Sequence, residues 1–494
     1  MKITSEFSPA LHTDLYQLTM AYGYWKTGMQ DREAVFHLFF RHHPFKGGFT
    51  IAAGLEIAID LMESYRFEGE DLDYLASLRG NDGLPLFEGK FIDYLSALEL
   101  RCDVDAIPEG TVVFPFEPLI RVQGPLLHCQ LLETPLLNLI NFQTLVATKA
   151  ARIVLAAKGE PVIEFGLRRA QGLDGGLAAT RAAFIGGCAG TSNVLAGKVF
   201  GIPVKGTHAH SWVMSFDSEP AAFQAWAQAM PNNCIFLVDT YNTLDGVRNA
   251  VEAGKELRRR GYEMVGVRLD SGDLAYLSVE ARRILDEAGF RDAKILGSNE
   301  LDEYIIGSIK EQGGAIGMWG VGTRLATSYE QPALDGIYKL SAIRSEGGRW
   351  EYKIKLSEQT IKITNPGFLQ VRRFGPDSEF LADAILDERL KVDGDWVIVD
   401  PMDRTRRKKI PQGTAFNDLL VAVFRGGRRI YDLPPLAQIQ DRARGQLQCF
   451  HEGVKRFIYP HTYPVGLEKS LFELKEELII RARQASHRNS SGAF

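Results

Sequence analysis

Between residues 140 and 345, short apolar runs alternate with amphipathic stretches. Seven runs follow one another: PVIEFG, AAFIGGCAG, GIPVKG, NCIFLVDT, YEMVGVRLD, AKILGSN and AIGMWGVG. Between them, stretches such as LDGVRNAVEAGKELRRRG and AYLSVEARRILDEAG carry apolar residues at spacings of three and four and close on a glycine. That is the pattern of helices with one buried face. Strand-like runs alternating with such helices predict a parallel α/β sheet, and seven of them suggest a parallel α/β barrel. Nearly every run ends in Gly, Asp, Ser or Arg. In parallel barrels the reactive groups sit where strands end and loops begin, so these endings are where chemistry is to be sought.

The flanks have a different period. TDLYQLTMAYGYWKTG and GLEIAIDLMESY read as helices, EAVFHLFFRHHPF as a strand, and DVDAIPEGTVVFPFEPLIRVQGP as strands and turns. Beyond residue 345, RWEYKIKLS, PGFLQVRRF and GDWVIVD alternate as β-runs. The expected organisation is therefore a second α+β domain built from both chain ends, residues 1–139 and 346–494, around the barrel segment 140–345. A charged amphipathic helix is expected over 465–485, and the terminal SHRNSSGAF is expected to fray.

The 494 residues, 45% hydrophobic and 24% charged, suffice for two or three domains. A net charge of -5 from interspersed acids and bases argues against a general nucleic-acid or membrane surface, so any anion site must be local. The five cysteines are scattered and lack CxxC spacing, which fits a reducing compartment. MKITSEFSPALHTDLYQ has no basic region followed by an apolar run, and no stretch approaches 18 apolar residues. A cytoplasmic protein is expected.

KGTHAHSWVMS poses the sharpest chemical question. On a strand, His208 and His210 would share a face and could hold one ligand. A metal hydrolase with an HxH strand needs further ligands from later strands, yet no histidine lies between His210 and His451. Two packed core histidines are the plain alternative. Other run endings carry anion- and hydroxyl-binding groups: Arg168 and Arg169 in EFGLRR, Arg268, Asp270 and Asp273 in GVRLDSGDL, Asp239 in FLVDT, and Gly297 with Ser298 in ILGSNE. WGVGTRLAT adds Gly320, Gly322 and Thr323 ahead of a helix, an anion cradle without the third glycine of a dinucleotide fingerprint or the lysine of a P-loop.

TDLYQLTMAYGYW, FGLRRAQGLDG, GGCAGTSNVLAGK, GTHAHSWVMSF, LVDTYNTLDGV, VRLDSGDL and GVGTRLATS, in that order from Thr13 to Leu340, together resemble the nicotinate phosphoribosyltransferase family of type II phosphoribosyltransferases. The resemblance implies transfer of a phosphoribosyl group from phosphoribosyl pyrophosphate to nicotinate, with Mg²⁺ and coupled ATP hydrolysis, by an incomplete or irregular parallel α/β barrel beside an α/β (α+β) sandwich domain, in a homodimer with shared active sites. It implies that Tyr16 of one subunit and Phe165 of the other sandwich the pyridine, and that Thr207 and Arg268 contact nicotinate. Arg168, Gly320, Gly322 and Thr323 would hold phosphates, and Asp239 and Asp270 would serve ribose hydroxyls or Mg²⁺. His210 matches the histidine that ATP phosphorylates, while packing is the default for His208. Ser192 stands where nicotinamide-using relatives resemble one another in carrying Asp, so nicotinate is expected over nicotinamide. The nicotinamide-using relative, a regulator without catalysis and, last, a zinc hydrolase remain the alternatives.

Overall fold

In the computed structural model, residues 8–345, 347–376, 378–392 and 394–491 are described. Residues 146–332 form one of two units. Its sheet runs, edge to edge, through Gly190–Thr191, Val162–Glu164, Met318–Val321, Lys294–Asn299, Gly266–Leu269 and Ile235–Leu237. Every ladder in it is parallel. Parallel neighbours need long crossovers. The helices Leu173–Ile185, Thr243–Arg259, Leu274–Glu287 and Glu303–Glu311 supply four of them. Val162, Ile163, Val267, Leu269, Ile295 and Leu296 are all buried, as expected of strands covered on both faces.

The strands follow one another round the sheet in chain order, and the last, Met318–Val321, lies beside the first, Val162–Glu164. A parallel bridge from Thr191 to Val204 adds one more position. Among the described residues no ladder joins Val204 to Ile235–Leu237. The expected parallel sheet is present, but the ladders leave it open at that seam.

Two of the seven apolar runs behave differently from expectation. The first half of AAFIGGCAG completes the helix Leu173–Ile185, and only Gly190–Thr191 beyond it is strand. An alanine-rich segment favours helix, and that preference prevails here. GIPVKG contributes the Val204 bridge alone.

Packing in this unit is close. A Cβ at Gly246, in the helix Thr243–Arg259, would lie 2.0 Å from the Val238 carbonyl oxygen, so only glycine lets this helix approach the strand end so nearly. Lys149 and Arg152, on the long helix Glu133–Ala157, each reach Glu303 at 2.6 Å, with all three side chains at most 1% exposed. Burying these charges is tolerable because they are paired.

The other unit comprises residues 1–145 and 333–494. The strand Ile337–Arg344 pairs antiparallel with Glu33–Phe39, which sets the second boundary at 332/333 rather than 345. With Trp350–Tyr352, Ile120–Pro125, Asp103–Ala106, Val421–Arg425 and Arg428–Arg429 these form a seven-stranded antiparallel sheet. A second, six-stranded sheet is antiparallel except where Ala382–Asp387 runs parallel to Val465–Glu468. Residues 465–468 are thus strand, not the start of the expected terminal helix, which spans Lys469–Ser491. The tail expected to fray is helical over its first residues, and 492–494 lie outside the described residues. The helical stretch 126–157 is long enough to span a membrane and contains an 18-residue window with a mean hydropathy of 1.2, but 72% of that window is buried inside the protein.

Candidate active site

A cavity of about 550 Å³ opens at the C-terminal ends of the parallel strands. Phe165, Arg168, Ser192, Thr207, His210, Arg268 and Asp270, all expected from the sequence, line it. Arg268 comes from the strand Gly266–Leu269, between the buried Val267 and Leu269. Its Nε donates to Ser298 Oγ at 2.8 Å and one terminal nitrogen donates to Asp270 Oδ1, also at 2.8 Å. The other reaches the Thr207 hydroxyl at 3.5 Å. The guanidinium carbon lies 5.6 Å from the centre of the Phe165 ring. A cation held this firmly needs little reorganisation to meet an anion.

Phe165 leaves the strand Val162–Glu164 with its N–H donating to the Val321 carbonyl at 2.7 Å. A Cβ at Gly320 would lie 2.7 Å from its ring. The resemblance assigned Gly320 to phosphate; in the structure this glycine makes room for an aromatic ring. Gly322 precedes the four-residue helix Thr323–Ala326, and the Thr323 hydroxyl donates to Glu300 at 3.1 Å. Neither lines the cavity. Tyr16 belongs to the other unit, on the helix Leu15–Lys26, and is 48% exposed.

Asp239 and Asp270 meet through the backbone. Asp239 Oδ2 accepts from the Asp270 N–H at 2.9 Å and from the Ser271 hydroxyl at 2.6 Å. Its Oδ1 is buried without a hydrogen-bond partner among the described residues. Burial pushes the Asp270 carboxyl up, but the Ser298 hydroxyl, Arg268 and His210 together outweigh it and hold the group below its ordinary value.

The two histidines do not share a strand face. Residues 205–209 are irregular, and His210 opens the helix His210–Met214. His208 turns into the core, 5.0 Å from the Trp226 ring centre, and its Nε2 accepts from the Leu237 N–H at 3.2 Å. Burial, with Arg268 and His210 nearby, pushes it down to about 4, so it stays neutral. His210 remains 40% exposed, with Nδ1 3.1 Å from the Thr240 hydroxyl and Nε2 3.8 Å from Asp270 Oδ2. Among the described residues no three His, Cys, Asp or Glu side chains converge as a metal cage.

Sequence reasoning missed Glu164 and Thr240. Glu164 is 1% exposed; its Oε2 accepts from the hydroxyls of Thr180 at 3.0 Å and Thr191 at 2.7 Å, and its Oε1 accepts from the Gly166 N–H. Its carbonyl also accepts from the Ser192 N–H at 3.0 Å, so one residue fixes the loops carrying Phe165 and Ser192. The signal was a carboxylate inside the apolar run PVIEFG. Thr240 was signalled only by its place beside Asp239.

Three stretches match, in order, the nicotinate phosphoribosyltransferase (NAPRTase) N-terminal domain at 11–141, the family itself at 161–353 and its C-terminal domain at 370–475. A nicotinate phosphoribosyltransferase of Bacillus subtilis is 43% identical over 477 residues, covering 96% of this chain and 95% of its own. The chain belongs to the nicotinate phosphoribosyltransferase family. The mouse nicotinate phosphoribosyltransferase is 35% identical, covering 95% of this chain and 97% of its own. The crystal structure of human nicotinic acid phosphoribosyltransferase aligns with a TM-score of 0.82 at 33% identity, covering 94% of this chain and 99% of that one. Nicotinate-nucleotide pyrophosphorylase from Pyrococcus furiosus, at 22% identity and a TM-score of 0.69, covers 91% of this chain and 98% of its own and shares the fold. In this nicotinate phosphoribosyltransferase family chain, an aromatic ring, a fixed guanidinium, the Asp270 carboxylate and a half-exposed imidazole surround one cavity, and Asp239 accepts from the Asp270 N–H. That set can hold a planar anion and stabilise charge beside it.

Proposed function

We propose that the protein joins nicotinate to 5-phosphoribosyl 1-pyrophosphate, giving nicotinate mononucleotide and pyrophosphate for NAD synthesis, with ATP hydrolysis coupled through a phosphohistidine. The observation that carries this reading is Arg268, held by Ser298 and Asp270 at the Phe165 ring, beside Thr207. A flat pyridine lies on the ring while its carboxylate meets the guanidinium and the hydroxyl. The parallel sheet is read as a barrel open at one seam, with its strand ends facing the substrates.

The pyridine nitrogen lone pair forms the bond to ribose C1 as the C1–O bond to pyrophosphate breaks, and that electron pair leaves with pyrophosphate. Positive charge grows on the sugar and negative charge on the leaving group. Arg168, exposed at the cavity rim, meets the phosphates, and the Asp239–Asp270 pair holds ribose hydroxyls. Mg²⁺, when bound, neutralises pyrophosphate charge. The buried, unpartnered Oδ1 of Asp239 fits a cation that takes one or two carboxylates and completes its shell with phosphates and water.

In the coupled step a nitrogen of His210 takes the γ-phosphoryl group of ATP; the N–P bond forms, the P–O bond to the β-phosphate breaks and ADP leaves. Thr240 fixes the ring for this. The Ser192 hydroxyl donates to a carboxylate where an Asp would repel it, so Ser192→Asp weakens nicotinate use more than nicotinamide use. The working form is a cytoplasmic homodimer in which Tyr16 of one subunit covers the pyridine in the other. The test is pyrophosphate release with nicotinate or nicotinamide, with and without ATP. Turnover with nicotinate, raised by ATP, is expected; equal use of both bases, or no turnover, overturns the reading.

A further inference from the structure

A second cavity, about 690 Å³, lies wholly within the unit formed by residues 1–145 and 333–494, and none of the residues given to phosphoribosyl transfer lines it. Arg344, Arg349, Arg389 and Arg481 surround it, with Trp350 among them. In a chain of net charge -5, four guanidiniums around one groove stand out. Part of that charge is met nearby, since Asp387 lies within electrostatic reach of Arg389. Arg481 bonds Glu477, and the lining Glu351 pairs with Lys353 at 2.8 Å. Among the described residues, Arg344, Arg349 and Arg389 make no ion pair.

Two of these arginines are also held in place. Arg389 lies 4.6 Å from the centre of the Phe368 ring and 5.7 Å from that of Trp350. Arg344 lies 5.7 Å from the same indole, and its Nε donates to the Gly348 carbonyl at 3.1 Å. Phe368 meets Trp350 edge-on at 4.8 Å, which backs the pair. Stacking on aromatic faces reduces the rotamer freedom of a guanidinium while leaving N–H donors for a ligand. Three unpaired cations around one groove repel each other in the empty protein, and one anion with several phosphates relieves all three contacts at once.

We infer that this groove is a binding site for a polyphosphate anion, either an inorganic chain of phosphates or the triphosphate of a nucleotide. The size fits, since about 690 Å³ exceeds what a single phosphate needs and lies within the range of small-molecule sites. Binding is electrostatic and falls with added salt.

Titration of inorganic tripolyphosphate onto the full chain at low ionic strength tests this, using the parent, Arg349→Glu and Arg349→Glu with Arg389→Glu. Binding is expected to weaken severalfold in the single variant and tenfold or more in the double variant. Phosphoribosyl transfer without tripolyphosphate stays at the parental rate in both, which also reports an intact fold. The Arg349 side chain has no polar partner among the described residues, so the single variant keeps the test alive if the double one fails to fold. Undiminished tripolyphosphate binding in a folded variant overturns the proposal and assigns anion binding elsewhere. A parallel titration with ATP separates the two sources by the equivalent bound beyond that taken at the His210 site, which the variants keep: comparable affinities for it, lost together, mark recognition of phosphates alone, whereas a tighter ATP equivalent lost in the same variants marks a nucleotide.

Discussion

His208 and His210 stand two positions apart and meet opposite environments. The first packs against Trp226 with its Nε2 engaged by the Leu237 N–H, whereas the second is 40% exposed at the cavity between Thr240 and Asp270. Only His210 has the access that a phosphoryl acceptor needs. His210→Ala is therefore expected to abolish ATPase activity and the stimulation of transfer by ATP while slow transfer persists, because Arg268, Asp239 and Asp270 remain. Label from γ-labelled ATP should appear on the parent as an acid-labile, base-stable adduct and be absent from His210→Ala. Labelling retained in that variant would identify another acceptor. Both histidines could be read in the sequence as candidates; their separation could not, because it depends on a helix beginning at residue 210.

At the scale of elements, the periodic apolar runs predicted the parallel strands well in Val162–Glu164, where β-branched residues dominate, and in Gly266–Leu269. They failed in AAFIGGCAG, where hydrophobicity alone does not separate a buried helix end from a buried strand. Glycine placement had a similar limit. Gly320 resembled part of an anion cradle, yet its neighbour is the Phe165 ring, carried by the adjacent strand. Gly320→Ala would put a methyl group 2.7 Å from that ring, so the ring must shift. The expected result is a KM for nicotinate raised roughly tenfold, equivalent to about 1.4 kcal/mol, with ATPase activity and thermal stability little changed. An unchanged KM would remove Phe165 from nicotinate binding.

For the whole molecule, four histidines, three of them buried, set an acid limit. Burial pushes His43 down to about 3, His128 and His208 to about 4, and His37 well below its ordinary value of 6.5. The unfolded chain takes up protons at these sites near pH 6.5 while the folded protein refuses them. Each therefore contributes stability that is present above pH 6.5 and lost as pH falls towards its folded value. Buried acids such as Glu117 and Asp387, with raised values, act in the opposite sense, so the clean measurement is a difference. His128 lies outside the candidate site, and its Nδ1 accepts from the Arg101 N–H at 3.2 Å. His128→Gln keeps an acceptor and removes the titration. The stability of the parent relative to this variant should decline between pH 6.5 and 4, by at most about 1.4 kcal/mol per pH unit; a flat difference would exclude His128 as a source. A shared active site makes a second prediction at this scale. Inactive Tyr16→Ala mixed with inactive Arg268→Ala should regain activity, since one hybrid site carries neither lesion. No recovery despite measured subunit exchange would count against sharing.

The sequence by itself determined the parallel character of the central segment and which polar and charged groups stand at the strand ends. These follow from spacings of two, three and four residues and from the chemistry of single side chains, which are local. Tertiary structure alone decided that Met318–Val321 lies beside Val162–Glu164, that Glu164 ties two site loops together, that Gly320 makes room for Phe165, and that Arg344, Arg389 and Arg481 share a groove. Each of these joins residues far apart in the chain. Such contacts are set by how whole faces pack, and no short-range pattern encodes which distant face will be the neighbour.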